Sequence, residues 1–128
     1  TVTGATTVTP GQWHHVAAVF DGAQRRVYLD GVQDGAVSGS GGPTSGTANL
    51  AIGRRSAAGQ YYFNGLIDEV RVSSGALYTS GFTPERGLGA ACGTRGLWKF
   101  DGQVYTDFSG NGNNGTAQGA AVFSTDAP

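Results

Sequence analysis

Glycine and its placement constrain the fold of this chain more than any other feature of the sequence. Of the 128 residues, 23 are glycine, and they follow no fixed period. They separate short apolar runs rich in Val, Tyr, Phe and Thr, a pattern typical of short strands joined by tight turns. No stretch of ten residues has the periodicity of an amphipathic helix. The sequence therefore predicts an all-β domain.

The clearest strand signal covers residues 8–20, where apolar side chains alternate onto both faces, so we expect a strand covered on both sides. The turn dipeptides Asp21-Gly22 and Asp30-Gly31 bracket a second strand at residues 24–30. Further strands are predicted at residues 48–54, 61–63, 66–73, 96–102 and 120–123, with a loop at 36–47 and one helical turn at 76–78.

The distribution of charged and of apolar residues argues against two classes of partner, nucleic acids and membranes. Charged residues make up 13% of the chain and the formal net charge is −1. The Lys and Arg residues are scattered, so we expect no nucleic-acid surface. No apolar stretch approaches the about 20 residues that a membrane span needs, so we expect no membrane insertion. Cys92 is the one cysteine, and we interpret it as an inert residue or a partner in a bond between chains.

Four motifs occur in one order along the first two thirds of the chain. They are W-H-H-V-A-A-V-F-D-G at 13–22, V-Y-L-D-G-V at 27–32, N-G-L-I-D-E-V-R-V at 64–72 and A-L-Y-T-S-G-F-T-P at 76–84. Together they resemble the second half of a laminin-G-like unit of the concanavalin A-like lectin/glucanase family. The resemblance implies a two-sheet antiparallel jelly-roll β-sandwich in an extracellular protein, secreted or attached to a surface.

The C-terminal part resembles the beginning of such a unit, through G-L-W-K-F-D-G at 96–102 and D-F-S-G-N-G-N-N-G at 107–115. In the family these strands come first, and two central strands follow that this sequence lacks. We therefore predict that residues 1–86 form the C-terminal half of a sandwich and residues 87–94 a flexible joint. Residues 95–128 would supply strands that complete the same sandwich in a permuted order, or a neighbouring one by strand complementation.

The loop at 107–115 is a candidate calcium site. Ca²⁺ binds carboxylate, amide and main-chain oxygens, which this loop offers, and members of the resembling family often hold a structural Ca²⁺ at the matching loop. Asp68 is predicted to face inward from the strand at 66–72. Its carboxylate could be a further ligand, or could instead accept hydrogen bonds from an Arg or from main-chain N–H groups. The alternative for the loop is a plain Asn-Gly turn. The candidate ligands are Asp107, Asn111, Asn113, Asn114 and Asp68.

A sugar-binding site is predicted at Tyr61 and Tyr62 beside Arg54 and Arg55. Sugar rings stack on exposed aromatic faces, while arginine side chains bind their hydroxyl groups. The alternative is that the two tyrosines cover the edge of a sheet. Trp13 and Trp98 are predicted to belong to the core.

The sequence carries no pattern for catalysis. Glycoside hydrolysis needs two carboxylates at a fixed separation, which the hydrolases of the resembling family carry as E-x-D-x-x-E on one strand. The chain has only two glutamates, Glu69 and Glu85, and neither lies in such a pattern. His14 and His15 are neighbours on a strand and point to opposite faces, so they do not form one site. Glu69 and Arg71 share the outer face of their strand, where we expect a weak ion pair.

Two functions follow from these observations. The first is a non-catalytic, extracellular module of a larger secreted protein that binds a glycan or another cell-surface polymer and mediates adhesion. The second is a structural subunit of an extracellular fibre, coat or tail, which would self-associate through its incomplete sheets.

Overall fold

The computed structural model describes residues 1–39, 41–42, 46–55 and 61–128, and over these residues the chain contains two antiparallel sheets. The predicted all-β sandwich class is confirmed. Strands β1, β2 and β3 form the first sheet in chain order, and β4 pairs with β5 in the second. The bounds are Val16–Phe20 for β1, Gln24–Leu29 for β2, Val32–Ser38 for β3, Val70–Ser73 for β4 and Thr94–Trp98 for β5. The helical content of the described residues is a single 3₁₀ turn at Asp101–Gln103.

The turn between β1 and β2 is closed by the side chain of Asp21. Its Oδ1 accepts hydrogen bonds from the main-chain N–H groups of Ala23 at 2.9 Å and Gln24 at 2.7 Å, and its Oδ2 pairs with Arg26 at 2.6 Å. These bonds, the main-chain bond to Gln24 foremost, hold the pKa of Asp21 well below its usual range. The Asp-Gly dipeptide therefore forms the turn that the sequence predicts.

The turn between β2 and β3 requires a glycine at position 31. Asp30 and Gly31 both have positive φ, at 50° and 80°, as a two-residue hairpin turn of this hand demands. A Cβ atom at Gly31 would overlap the carbonyl oxygen of Phe82. The main chains touch here because the N–H of Phe82 donates to the carbonyl oxygen of Gly31 at 2.9 Å.

An aromatic cluster links the first sheet to β4. Tyr28 of β2 is 1% exposed, and its ring lies 5.5 Å from that of Phe82, which stacks on Tyr78 at 3.6 Å. Arg71 of β4 donates to the hydroxyl oxygen of Tyr78 at 2.8 Å. The helical turn predicted at 76–78 is wrong, because this segment stays irregular where Tyr78 stacks in the cluster.

The second sheet joins the two parts of the chain that the motifs separate. In the pairing of β4 with β5, Val70 lies opposite Trp98 and Arg71 opposite Leu97. Leu97 and Trp98 are 2% and 6% exposed and belong to the small core. The ring of Trp98 lies against Gly96, where a Cβ atom would overlap it. One segment of residues 95–128 therefore pairs with the body of the same chain.

The outer face of the first sheet is apolar and partly open. Residues 3–6 run beside the edge strand β3, where the main-chain N–H of Thr6 donates to Asp34 Oδ1 at 3.0 Å. Val16 and Val32 stay 68% and 69% exposed. The expectation that the first strand is covered on both faces is therefore wrong at Val16, because no second layer lies over it among the described residues.

Several predicted strands are shorter or absent. The segments 48–54, 61–63 and 120–123 are not strands, since a strand needs a ladder of bonds to a neighbour, and the first two share one main-chain bond, from Phe63 N–H to Gly53 O at 2.8 Å. The strand predicted at 8–20 begins only at Val16, after a turn at 10–12. The loop predicted at 36–47 begins after Ser38, because residues 36–38 complete β3.

Candidate functional site

An open concavity of about 1990 Å³ brings four separate segments of the chain together. They are residues 48–54, 62–68, the end of β5 with the 3₁₀ turn that follows, and residues 113–127, and Trp13, Val72 and Tyr105 complete the lining. The predicted site residues that line it are Arg54, Tyr62, Asp68, Asn113 and Asn114. The structure thus places part of the predicted sugar site and part of the predicted metal site at one surface.

The two tyrosines of the predicted sugar site have different surroundings. Tyr62 is 67% exposed and lines the concavity with Arg54. Tyr61 is 72% exposed and lies outside the lining, with the guanidinium of Arg55 at 5.9 Å from the centre of its ring. Two of the four residues therefore face the concavity, and the other two lie outside its lining.

The concavity carries aromatic and aliphatic side chains that sequence reasoning missed. Phe63 and Leu50 on one side are 58% and 64% exposed. Among the other lining residues, the rings of Tyr105 and Phe123 lie 4.7 Å apart and Phe100 meets Tyr105 edge-on at 6.5 Å. The motif at 96–102 contains Phe100, but no local pattern indicates that residues 105 and 123 meet.

The Asp107 carboxylate organises the loop at 107–115. Its Oδ1 accepts main-chain N–H groups from Leu97 at 2.9 Å and Ser109 at 2.8 Å, and its Oδ2 accepts that of Asn113 at 2.9 Å. Burial alone would raise its pKa, but the bonds from Ser109, Leu97 and Asn113 outweigh it and hold the pKa of Asp107 well below its usual range. Asp107 is therefore an ionised anchor that fixes the loop on β5.

The three asparagines of the loop are also engaged within the chain. Asn114 Oδ1 accepts the main-chain N–H of Asp107 at 2.9 Å, and the side-chain amide of Asn113 donates to the carbonyl of Arg95 at 2.8 Å. The amide of Asn111 donates to the carbonyl of Thr94 at 3.2 Å. These bonds complete a structural turn against β5.

The loop as arranged does not fit a calcium site. Ca²⁺ needs six to eight oxygens around one point, whereas the Asp107 oxygens already accept three N–H groups. Among the residues that the structure describes, no group of three or more acidic, histidine or cysteine side chains could hold a metal. The ion remains a prediction from the sequence, and its test is given below.

Asp68 lies on the concavity, apart from the bonds that anchor the loop. Its Oδ1 accepts the main-chain N–H of Glu69 at 3.0 Å. Of the three partners considered from the sequence, a metal, an Arg or a main-chain N–H group, the structure shows the last. Burial, and further the nearby charges of Glu69 and Asp101, raise the pKa of Asp68. The concavity therefore includes a carboxylate that holds its proton more tightly than usual.

Glu69 and Arg71 do not form the ion pair that the sequence predicts. Glu69 Oε2 accepts the main-chain N–H groups of Gly87 at 2.9 Å and Leu88 at 3.1 Å, while Arg71 donates to the carbonyl of Gly89 at 3.0 Å. Main-chain groups compete for both side chains because the connection between β4 and β5 passes close to them. Leu88, in the segment predicted to be a joint, is 7% exposed.

The two adjacent histidines lie in separate environments, although both precede β1 instead of lying on the predicted strand. His14 Nδ1 lies 2.8 Å from Asp30 Oδ2, and its Nε2 lies 3.2 Å from the carbonyl oxygen of Thr9. His15 meets Phe82 edge-on at 5.3 Å in the aromatic cluster, where burial and the charge of Arg71 lower its pKa.

A comparison with known families agrees with this architecture. The model of the concanavalin A-like lectin/glucanases superfamily, in its laminin-G form, matches residues 1–80. No curated protein and no solved structure matches the chain. Within the described part of the chain, no helix has the length and apolar character needed to cross a membrane. Since the match covers more than half of the residues, the chain belongs to the concanavalin A-like lectin/glucanase superfamily.

Proposed function

We propose that this chain is a non-catalytic, extracellular module of a larger secreted protein and binds a glycan or another cell-surface polymer in the concavity. The observation that carries the proposal is the exposed aromatic ring of Tyr62, which lines the concavity, as Arg54 also does. The family suggests carbohydrate or surface binding in general terms. The choice of this surface rests on the residues that line it.

The chemistry of the lining suits a sugar polymer. Aromatic faces take the C–H faces of sugar rings, and Tyr62 and Phe63 offer two such rings at 67% and 58% exposure. Arg54 and Asp68 supply a donor and an acceptor for hydroxyl groups. Pockets for small ligands enclose about 300–1,000 Å³, so an open concavity of about 1990 Å³ suits a polymer segment better than a small molecule.

The absence of catalysis is part of the proposal and has its own assay. Asp68 and Asp101 both line the concavity, and the charge of Asp101 contributes to the raised pKa of Asp68. Incubation with each bound polysaccharide should release no new reducing ends. Release that disappears in Asp68→Asn would show a hydrolase and contradict a purely binding role.

The adjacent tyrosines provide a matched pair of variants. On a glycan array, the unmodified chain should bind at least one glycan class, and Tyr62→Ala should weaken that binding about tenfold or more, as truncation of a central aromatic does. Tyr61→Ala removes an equally exposed ring outside the concavity and should leave the affinity nearly unchanged. Equal losses in both variants would move the site away from the concavity. No binding to any printed glycan would contradict the proposal.

A structural role is the second candidate, and the open apolar face of the first sheet favours it. Val16 and Val32 are 68% and 69% exposed, and apolar sheet faces and unpaired edges promote association. Light scattering at increasing concentration tests it. Assembly that Val16→Lys abolishes would support this role, whereas a monomer at every concentration would exclude it.

A further inference from the structure

The ring of His14 closes the loop that precedes β1. Residues 10–12 form a turn in which Gly11 has a φ of 79°. One ring nitrogen of His14 faces the carbonyl oxygen of Thr9 at 3.2 Å, where the loop begins. The other faces the carboxylate of Asp30 at 2.8 Å, on the turn between β2 and β3. A single side chain thus ties the start of the loop to the first sheet.

Both oxygens that face the ring can only accept hydrogen bonds. A neutral imidazole carries one N–H and one bare nitrogen, whereas the imidazolium carries two N–H groups. Only the protonated ring can therefore donate to Thr9 and Asp30 at once. Loss of the second proton would set a nitrogen lone pair against an oxygen lone pair at one of the two contacts.

The acceptor on Asp30 is held in place independently of His14. Its other oxygen, Oδ1, accepts the main-chain N–H of His15 at 2.9 Å, and its own N–H donates to the carbonyl of His15 at 2.8 Å. These bonds involve main-chain groups that do not titrate. A change in the charge of His14 would therefore act mainly on the loop and leave the turn in place.

Trp13 connects this contact to the concavity. It directly precedes His14 in the loop and is one of the residues that line the concavity. Its side chain is half-buried. The position of the indole thus depends on a loop whose closure depends on the charge of the next residue.

We propose that His14 is a pH-dependent latch, which holds Trp13 in the wall of the concavity while the ring is protonated and releases it when the ring loses its second proton. This inference rests on the proposed function where it concerns ligand binding, because it makes polymer binding stronger in mildly acidic than in alkaline solution. The movement of the loop itself does not depend on that function.

The charged groups around His14 favour this behaviour. From the β2–β3 turn the ring meets the carboxylate of Asp30, and from its own loop it meets the uncharged carbonyl of Thr9. The neighbouring His15 points into the aromatic cluster, where burial and then the charge of Arg71 lower its pKa. The bond to Asp30 is the main cause that raises the pKa of His14 above 6.5, with burial acting in the opposite direction.

Nuclear magnetic resonance of the full chain tests the latch without any ligand. The His14 ring should titrate above 6.5, and the indole N–H signal of Trp13 should shift with the same midpoint. The indole signal of Trp98, at the end of β5, is an internal control, since its N–H donates to the carbonyl oxygen of Asn113 at 2.9 Å. A Trp13 signal that ignores the His14 titration would overturn the latch.

Two variants on the same hairpin sharpen the test. Asp30→Asn keeps an oxygen for the His15 N–H and tolerates the φ of 50° at this position, but it removes the charge. The His14 midpoint should fall toward 6.5 and Trp13 should be released at lower pH. Asp34→Asn removes a carboxylate that contacts Thr6 and should change neither midpoint. A His14 midpoint that is unchanged in Asp30→Asn would also overturn the latch.

The glycan array, read at about pH 5 and about pH 8, then tests regulation of binding. The glycans retained at the lower pH should lose several-fold in signal at the higher pH, and His14→Gln should remove that difference. Equal binding at both values would contradict regulation by the latch. If no glycan binds at either pH while Trp13 still follows His14, the proposed function fails and the loop movement stands.

Discussion

The carboxylate of Asp107 accepts the main-chain N–H of Leu97 at a distance of 2.9 Å. This bond joins the loop at 107–115 to the middle of β5, and the same carboxylate binds two N–H groups of the loop itself. Loop and strand are therefore fixed by one ionised side chain.

The first prediction concerns the charge of Asp107. Asp107→Asn keeps the size of the side chain but replaces one accepting oxygen with an amide that cannot accept, so we expect a fall of several degrees in Tm at neutral pH. Because the pKa of Asp107 is lowered on folding, its contribution is complete above its unfolded value of 3.8 and is lost as the pH falls through the folded value. The variant should therefore lose part of the acid sensitivity of the unmodified chain.

The control for this prediction is Asp126→Asn, which changes an exposed carboxylate near the C-terminus. It should leave both Tm and its pH dependence unchanged. Equal Tm values for Asp107→Asn and the unmodified chain would mean that the anchor has no part in stability.

The second prediction concerns Ca²⁺. Since the Asp107 carboxylate already accepts three main-chain N–H groups, we expect the Tm to be the same in EDTA and in excess Ca²⁺. A bound ion at a hundredfold excess over its Kd would add about 2.7 kcal/mol to the free energy of unfolding. A rise in Tm on addition of Ca²⁺ that matches this gain in free energy and is absent in Asp107→Asn would establish the calcium site predicted from the sequence.

Local signals predicted the two turns of the first sheet well. The Asp-Gly turns carry their own geometry, since Asp21 closes its turn by itself and Gly31 supplies the required φ of 80°. β3 was missed because its Gly35 and polar residues resemble a loop. It exists because β2 offers it a ladder partner.

Segments whose structure depends on distant partners could not be predicted in the same way. The apolar run at 48–54 has strand composition but no ladder partner among the described residues, so it lines the concavity instead. The candidate metal ligands were chosen by residue type. Their hydrogen bonds to β5 could not be predicted, because these depend on how the loop folds back onto that strand. Tyr61 and Tyr62 are adjacent residues of one type, so the local sequence does not indicate which of them faces the concavity. The fold places Tyr62 in its lining and Tyr61 outside it.

The third prediction separates two costs at glycine positions. Gly31→Ala introduces a residue at positive φ and also drives its Cβ into the carbonyl of Phe82. Gly110→Ala has a similar φ of 83° and open space around the new Cβ, so it should cost only the conformational penalty of about 1–2 kcal/mol. Gly31→Ala should destabilise clearly more in urea unfolding. Equal losses would show that the contact between the β2–β3 turn and Phe82 relaxes freely.

The fourth prediction is the pH dependence of stability. Folding raises the pKa of His14, so its contribution is complete below about 6.5 and is lost as the pH rises through the folded value. Folding lowers the pKa of Asp30, first through the bond to His14, so that contribution is present above 3.8 and is lost as the pH falls. The pair should therefore stabilise the folded chain most in mildly acidic solution.

His15, whose pKa is lowered, acts in the opposite direction, and comparison with His14→Gln isolates the latch. The unmodified chain should lose Tm relative to His14→Gln between about pH 6 and pH 9, and parallel curves for the two proteins would show that the contact between His14 and Asp30 makes no contribution to stability.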